Sequence, residues 1–355
     1  MRLILHIGMH KTASTTIQKR LKGNNQRLEE FGFRYAAKER KTLLKAVQTK
    51  NFKPWRELLR EAETQGITPI VSHEALSHVL CRPQSSGKPD CIGDWLLKKL
   101  SQTGVSVTVI GFVRDQPSYL IRTTRSTSSA SPRRSRSRPT PKKRCGHRSV
   151  NACAPEQLFG WLSQHPSVHA VFFPYGRSIT PPSCQGDAPR DPFAQLIHCL
   201  GIPDTVQFKP VANQNSQPGD LAIRAALQLS QELKREGFLL GKRAKWARTL
   251  LCREAERRNW METPYMGVDS RLKRQIRAHF AAANNRFANR IWGCPWDQIF
   301  NPDTAAQSRI PSAAEQQAID QAVRRIRRRL VPPAQRLWSW LPFPAGDLGR
   351  KKDRC

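Results

Sequence analysis

The chain has 355 residues, with 60 Lys and Arg against 27 Asp and Glu, a net charge of +33, and 38% hydrophobic residues. At roughly 100–200 residues per domain that is one large or two modest domains, and Trp, Phe, Leu and Ile recur in clusters along most of the chain, which excludes wholly disordered and collagen-like chains. No apolar run approaches the ~18–20 residues of a membrane span, and the apolar stretch at the start is too short for a secretory signal.

In chain order, residues 3–7 (LILHI) form a short apolar run ending at Gly8, and Ile17, Leu21, Leu28 and Phe31 then fall at helical intervals. This spacing predicts strand, turn and helix, with Gly23 and Asn24 breaking the helical stretch in two. Helical patterning returns over 41–64. Residues 69–72 are a second short strand, followed by the polar turn His73-Glu74, and a helix surrounds Trp95 to Leu100. The run VSVTVIGFV at 105–113 is the clearest strand, and its near-continuous β-branched character predicts burial on both faces, as in a parallel sheet. Beyond an arginine-rich stretch come a helix at 156–164, a strand at 168–173, a helix at 191–200, a short strand at 205–208, and helices with connectors over 219–302. Alternating strands and helices predict an α/β layer architecture, a parallel sheet flanked by helices with a mainly helical C-terminal half. The expected division is an α/β domain over 1–302 and a basic tail over 303–355.

The charge is unevenly placed. Ten basic residues and no acidic one lie between Arg122 and Arg148, and a second block comprises Arg324, Arg325, Arg327, Arg328 and Arg329. Such clustering motivates a nucleic-acid or polyanion-binding reading. In the tail Leu337, Trp338, Trp340, Leu341 and Phe343 follow the second block, a combination suited to peripheral contact with an anionic membrane. The nine cysteines are odd in number and contain no C-x-x-C pair. They are expected to be reduced thiols of a cytoplasmic protein, without a zinc site.

The chemistry concentrates at the first turn. In LHIGMHKTASTT at 5–16, a strand end meets a helix start, where unpaired backbone N–H groups and the positive end of the helix dipole favour anions. Lys11 adds a full charge, and Thr12, Ser14, Thr15 and Thr16 add hydroxyl donors, so the segment is a candidate phosphate or sulfate cradle. It lacks the second glycine of a Walker A loop, which disfavours a nucleotide or carbohydrate kinase.

HIGMHKTASTT resembles the 5′-phosphosulfate loop of the sulfotransferases that use 3′-phosphoadenylyl sulfate (PAPS), with Ala13 where that family usually has Gly. VSHEALS at 71–77, VIGFVRDQPSYL at 109–120, FFPYGR at 172–177, DPFAQLIHCLGI at 191–202 and NNRFANRIWG at 284–293 resemble later landmarks of the family, over roughly 2–120 and 156–300. The resemblance implies a P-loop-like fold and PAPS-dependent, metal-free transfer of a sulfuryl group to a hydroxyl, with a carbohydrate as the expected acceptor. It further implies that Gly8, His10, Lys11, Thr12, Ser14, Thr15 and Thr16 hold the 5′-phosphosulfate, that Arg114 pairs with the 3′-phosphate, and that Lys11 assists the leaving phosphate. Glu74 is the leading candidate for the base, with His73 and His10 as alternatives.

The resemblance breaks at position 122. There the family has a serine that binds the 3′-phosphate and this chain has Arg, and residues 122–154 carry no helical or strand period. Their composition predicts a disordered arginine-serine linker. A local change of reading frame fits the position better: Arg125 to Ser131 can be encoded so that a shifted frame reads Gln-His-Val-Lys-Arg-Phe, which resembles the family's helix at that place.

Overall fold

The computed structural model describes residues 1–9, 12–80, 92–120, 154–176, 179–180, 182, 191–211, 219–236, 244–260, 270–300 and 310–330. Five strands, β1 (Arg2–Gly8), β2 (Phe33–Tyr35), β3 (Thr68–Ser72), β4 (Ser106–Val113) and β5 (Val168–Pro174), form one sheet in the order β2-β3-β1-β4-β5. Every pairing is parallel, so Gly8, Ser72, Val113 and Pro174 end on the same edge.

Both faces are covered, as the β-branched run of β4 requires. Side chains alternate across a strand, and on β1 Leu3, Leu5 and Ile7 join one core while Ile4 joins the other. The first face packs against α3 (Arg40–Gln48), α4 (Lys53–Thr64), α5 (Glu74–Leu80), α6 (Ile92–Ser101), α7 (Pro155–Phe159), α11 (Ser270–Trp292) and α12 (Trp296–Ile299). The second packs against α1 (Ser14–Gly23), α2 (Asn25–Glu29) and α8 (Pro192–Cys199). Gly111 lets β4 and β5 share their side of the sheet, since a Cβ there would lie 2.5 Å from the buried Phe172 ring.

The contacts divide the chain into two compact units, one of 1–123, 137–215 and 267–308, the other of 124–136, 216–266 and 309–355. The first contains the sheet. In the second, α9 (Asp220–Arg235), α10 (Ala244–Arg257) and α13 (Ala313–Leu330) pack around Leu229, Leu233, Leu250, Val323 and Ile326.

The boundary expected at 302 falls between α12 and α13. Residues 313–330 are a helix whose Ile319, Ala322, Val323, Ile326 and Leu330 make a buried stripe. The arginines of 324–329 are threaded between those apolar positions, and their charge obscured the helical period in the sequence. Three other differences are local. The three-residue β2 is too short to show a period. Residues 205–208 form no strand, because this segment is anchored by side chains: Phe208 packs on Phe193 with ring centroids 5.5 Å apart, and Lys209 N–H donates to Asn24 Oδ1 at 2.7 Å. The helix expected at 156–164 is α7 followed by a short 3-10 turn at Leu162–Gln164. The linker expected at 122–154, apart from Ala154, and the aromatic tail lie outside the described residues, and no helix among those described is long and apolar enough to cross a membrane.

Candidate functional site

In an open parallel sheet, ligands bind beyond the carboxyl ends of the strands where the chain switches direction across the sheet. Here the chain passes from β1 to β2 and β3 on one side, then crosses to β4 on the other, so the switch point lies at the ends of β1 and β4. The β1–α1 turn occupies that position. Met9 N–H donates to Phe112 O at 3.3 Å and Thr12 Oγ1 donates to Met9 O at 2.6 Å, closing the turn on itself. The turn packs closely on Gly8, where a Cβ would stand 3.1 Å from Thr12 Oγ1, tighter than most side-chain contacts.

Ala13 is left-handed, with φ 62°, and sets the direction in which α1 leaves the turn. Ser14 opens α1, and its hydroxyl is buried with no hydrogen-bond partner among the described residues. A buried hydroxyl left unpaired is costly, and at a helix start it is a ready donor to an anion. Thr16 is half-buried and Thr15 exposed. The Thr12 hydroxyl is committed to the turn. His10 and Lys11 lie outside the described residues.

At the end of β4, Arg114 is 3% exposed, and its guanidinium lies over the Tyr175 ring at 4.5 Å. Its backbone N–H approaches Met9 Sδ at 3.5 Å, which ties the start of the β4 loop to the β1 turn. The next two residues connect this edge to α11 and α12. Asp115 pairs with Arg277 at 2.8 Å and accepts the Trp296 indole N–H at 3.4 Å. Gln116 and Asn284 exchange amide hydrogen bonds of 2.6 and 2.9 Å.

After β3, His73 Nδ1 accepts the Ala75 backbone N–H at 3.1 Å, so one ring nitrogen is engaged at the start of α5. Glu74 is the first residue of that helix, half-buried at the same sheet edge. Beneath it, His6 on β1 is 1% exposed and contacts Ser72 Oγ through Nδ1 at 2.7 Å. Burial lowers the His6 pKa to about 4, against an opposing pull from the Glu74 carboxylate. The ring is therefore neutral at pH 7. Nε2 has no hydrogen-bond partner among the described residues, so among them the Ser72 hydroxyl is the polar anchor of the ring.

No family model, curated protein or solved structure matches this chain. The fold brings Gly8, Thr12, Ser14, Thr16, Glu74 and Arg114 to one edge of the sheet, with His73 beside them. Sequence reasoning did not single out His6, Asp115, Arg277 or Trp296. His6 carried a signal, a polar residue inside an apolar strand. The Asp115 to Arg277 and Asp115 to Trp296 contacts span 162 and 181 residues and left none.

Proposed function

We propose that the chain is a PAPS-dependent sulfotransferase with a P-loop-like core, moving a sulfuryl group to a hydroxyl of a carbohydrate acceptor. The observation that carries this reading is the β1–α1 turn: a glycine closed against Thr12, a left-handed Ala13 and an unpartnered Ser14 hydroxyl at the switch point of a parallel sheet. These features fit an anionic group, and the segment HIGMHKTASTT adds the resemblance.

On this reading the backbone N–H groups and hydroxyls of Gly8 to Thr16 hold the 5′-phosphosulfate, and Arg114 presents its guanidinium to the 3′-phosphate, where a planar fork suits a dianion. Glu74 accepts the proton of the attacking hydroxyl as the new O–S bond forms. Lys11 meets the negative charge that develops on the phosphate oxygen as its bond to sulfur breaks, and His10 adds a further donor. Such groups act by general-base and electrostatic stabilisation. His73 is the weaker base candidate because its Nδ1 is already engaged by the α5 backbone.

Removing one electrostatic contact of this kind costs ~10²-fold or more in turnover. Lys11→Ala should therefore lower sulfuryl transfer from PAPS by that factor with the circular dichroism spectrum unchanged, and full retention of activity would remove Lys11 from the mechanism. Glu74→Gln should lower turnover while adenosine 3′,5′-bisphosphate affinity stays within a few-fold.

The second unit supports a competing reading as a polyanion-binding protein. Arg324, Arg325, Arg328 and Arg329 are exposed on α13. Arg325 has Glu254 at 3.6 Å and Arg327 has Glu236 at 2.5 Å, so part of that charge is already balanced within the unit.

A further inference from the structure

A cleft of about 290 Å³ opens against the first turns of α11, with the α12 start as its other wall. It belongs to the sheet unit and adjoins the chain immediately after Arg114, because Asp115 holds both Arg277 and the Trp296 indole that line it. Three cations line it, Lys273, Arg274 and Arg277, against one carboxylate, Asp297. Lys273 and Arg277 stand four apart and so project from the same helix face. Arg277 is partly neutralised by Asp115, whereas Arg274 is exposed.

Burial and the neighbouring Arg277 guanidinium lower the Lys273 pKa, so an anion entering the cleft would relieve a crowding of positive charge. At the far end Asn285 Oδ1 accepts the Trp296 backbone N–H at 3.0 Å, and its amide NH₂ is of the type that donates to a sugar hydroxyl. The volume is at the small end for ligand clefts and suits a single sugar ring with its substituent.

We propose that this cleft is the acceptor subsite and takes an anionic substituent of the acceptor sugar, a carboxylate or a sulfate ester, on Lys273 and Arg274. The word acceptor rests on the sulfotransferase reading; the anion site rests on the cleft alone.

The test is calorimetric titration of the full chain with three disaccharides: a hexuronate-containing one, an O-sulfated one and a neutral one. Each is repeated with the double variant Lys273→Gln/Arg274→Gln and with Asp297→Asn. At least one charged disaccharide should bind while the neutral one does not, and which of the two binds identifies the group. The double variant should weaken that binding at least tenfold, and removing the Asp297 carboxylate should tighten it several-fold. A parallel titration with adenosine 3′,5′-bisphosphate should give the same affinity for all three proteins, which also establishes that they are folded.

Equal binding of the neutral sugar, no binding of either charged sugar, or a charged-sugar affinity unaffected by the double variant would overturn the proposal. So would weakened bisphosphate binding in the double variant, which would assign the cleft to the donor. If charged sugar binds and depends on Lys273 and Arg274 while bisphosphate fails to bind wild type, the anion site stands and the sulfotransferase reading falls.

Discussion

His6 shows how a single residue links the strand that carries the site to the stability of the whole chain. Its pKa is depressed because the charged form is buried, so the folded state binds fewer protons than the unfolded state between about pH 4 and 6.5. Its contribution is present in full above about pH 6.5 and is lost as pH falls to about 4. The displacement from 6.5 to about 4 corresponds to roughly 3 kcal/mol. His6→Leu removes the Ser72 hydrogen bond and lowers stability at pH 7, and it should also flatten the dependence between pH 7 and 4, so that the deficit shrinks as the pH falls. Denaturant midpoints measured across that range for both proteins decide the matter, and parallel curves would contradict the assignment. The same residue marks a boundary of sequence reasoning. A histidine inside LILHI stands out by type, yet its burial and its Ser72 partner follow only from β1 pairing with β3.

Among the elements, α1 carries the most consequence, since its first turn is the candidate anion site. Ala13 holds a left-handed conformation that costs an L-residue about 1–2 kcal/mol, and glycine would remove that strain at the cost of a more flexible unfolded chain, about 0.4–1 kcal/mol. Ala13→Gly should therefore raise stability by up to about 1 kcal/mol, read as a higher midpoint in thermal or chemical unfolding; a lower midpoint would mean that the turn is not left-handed in solution. Glycine adopts such a φ without that strain, whereas this chain holds the conformation with an alanine. The elements legible in the sequence were those with a strong period, β1, β4 and most of the helices around them. The illegible ones failed for physical reasons: β2 pairs over only three residues, 205–208 is held by Asn24 and Phe193 in place of a strand neighbour, and the apolar stripe of α13 is hidden among arginines.

For the whole molecule, charge distribution and topology give different emphases, and topology carries the argument. The arginines of α13 sit on a helix whose other face is buried in a separate unit, two of them beside glutamates. Gly8, Ser14, Glu74 and Arg114 instead converge at the switch point of one sheet although they are spread over more than a hundred residues. The turn itself was legible because its residues are contiguous, and the cleft at Arg277 and Trp296 was not because the fold alone joins them to Asp115. A pocket-based site and a polyanion-binding surface differ in their response to salt, the latter losing affinity with a slope near −0.9 per phosphate contacted on duplex DNA. The most direct measurement is isothermal titration of the full chain with adenosine 3′,5′-bisphosphate, ATP and duplex DNA at several salt concentrations. The sulfotransferase account predicts saturable binding of one bisphosphate per chain, tighter than ATP and with a shallow salt dependence, whereas tight, salt-steep DNA binding without any bisphosphate binding would contradict it.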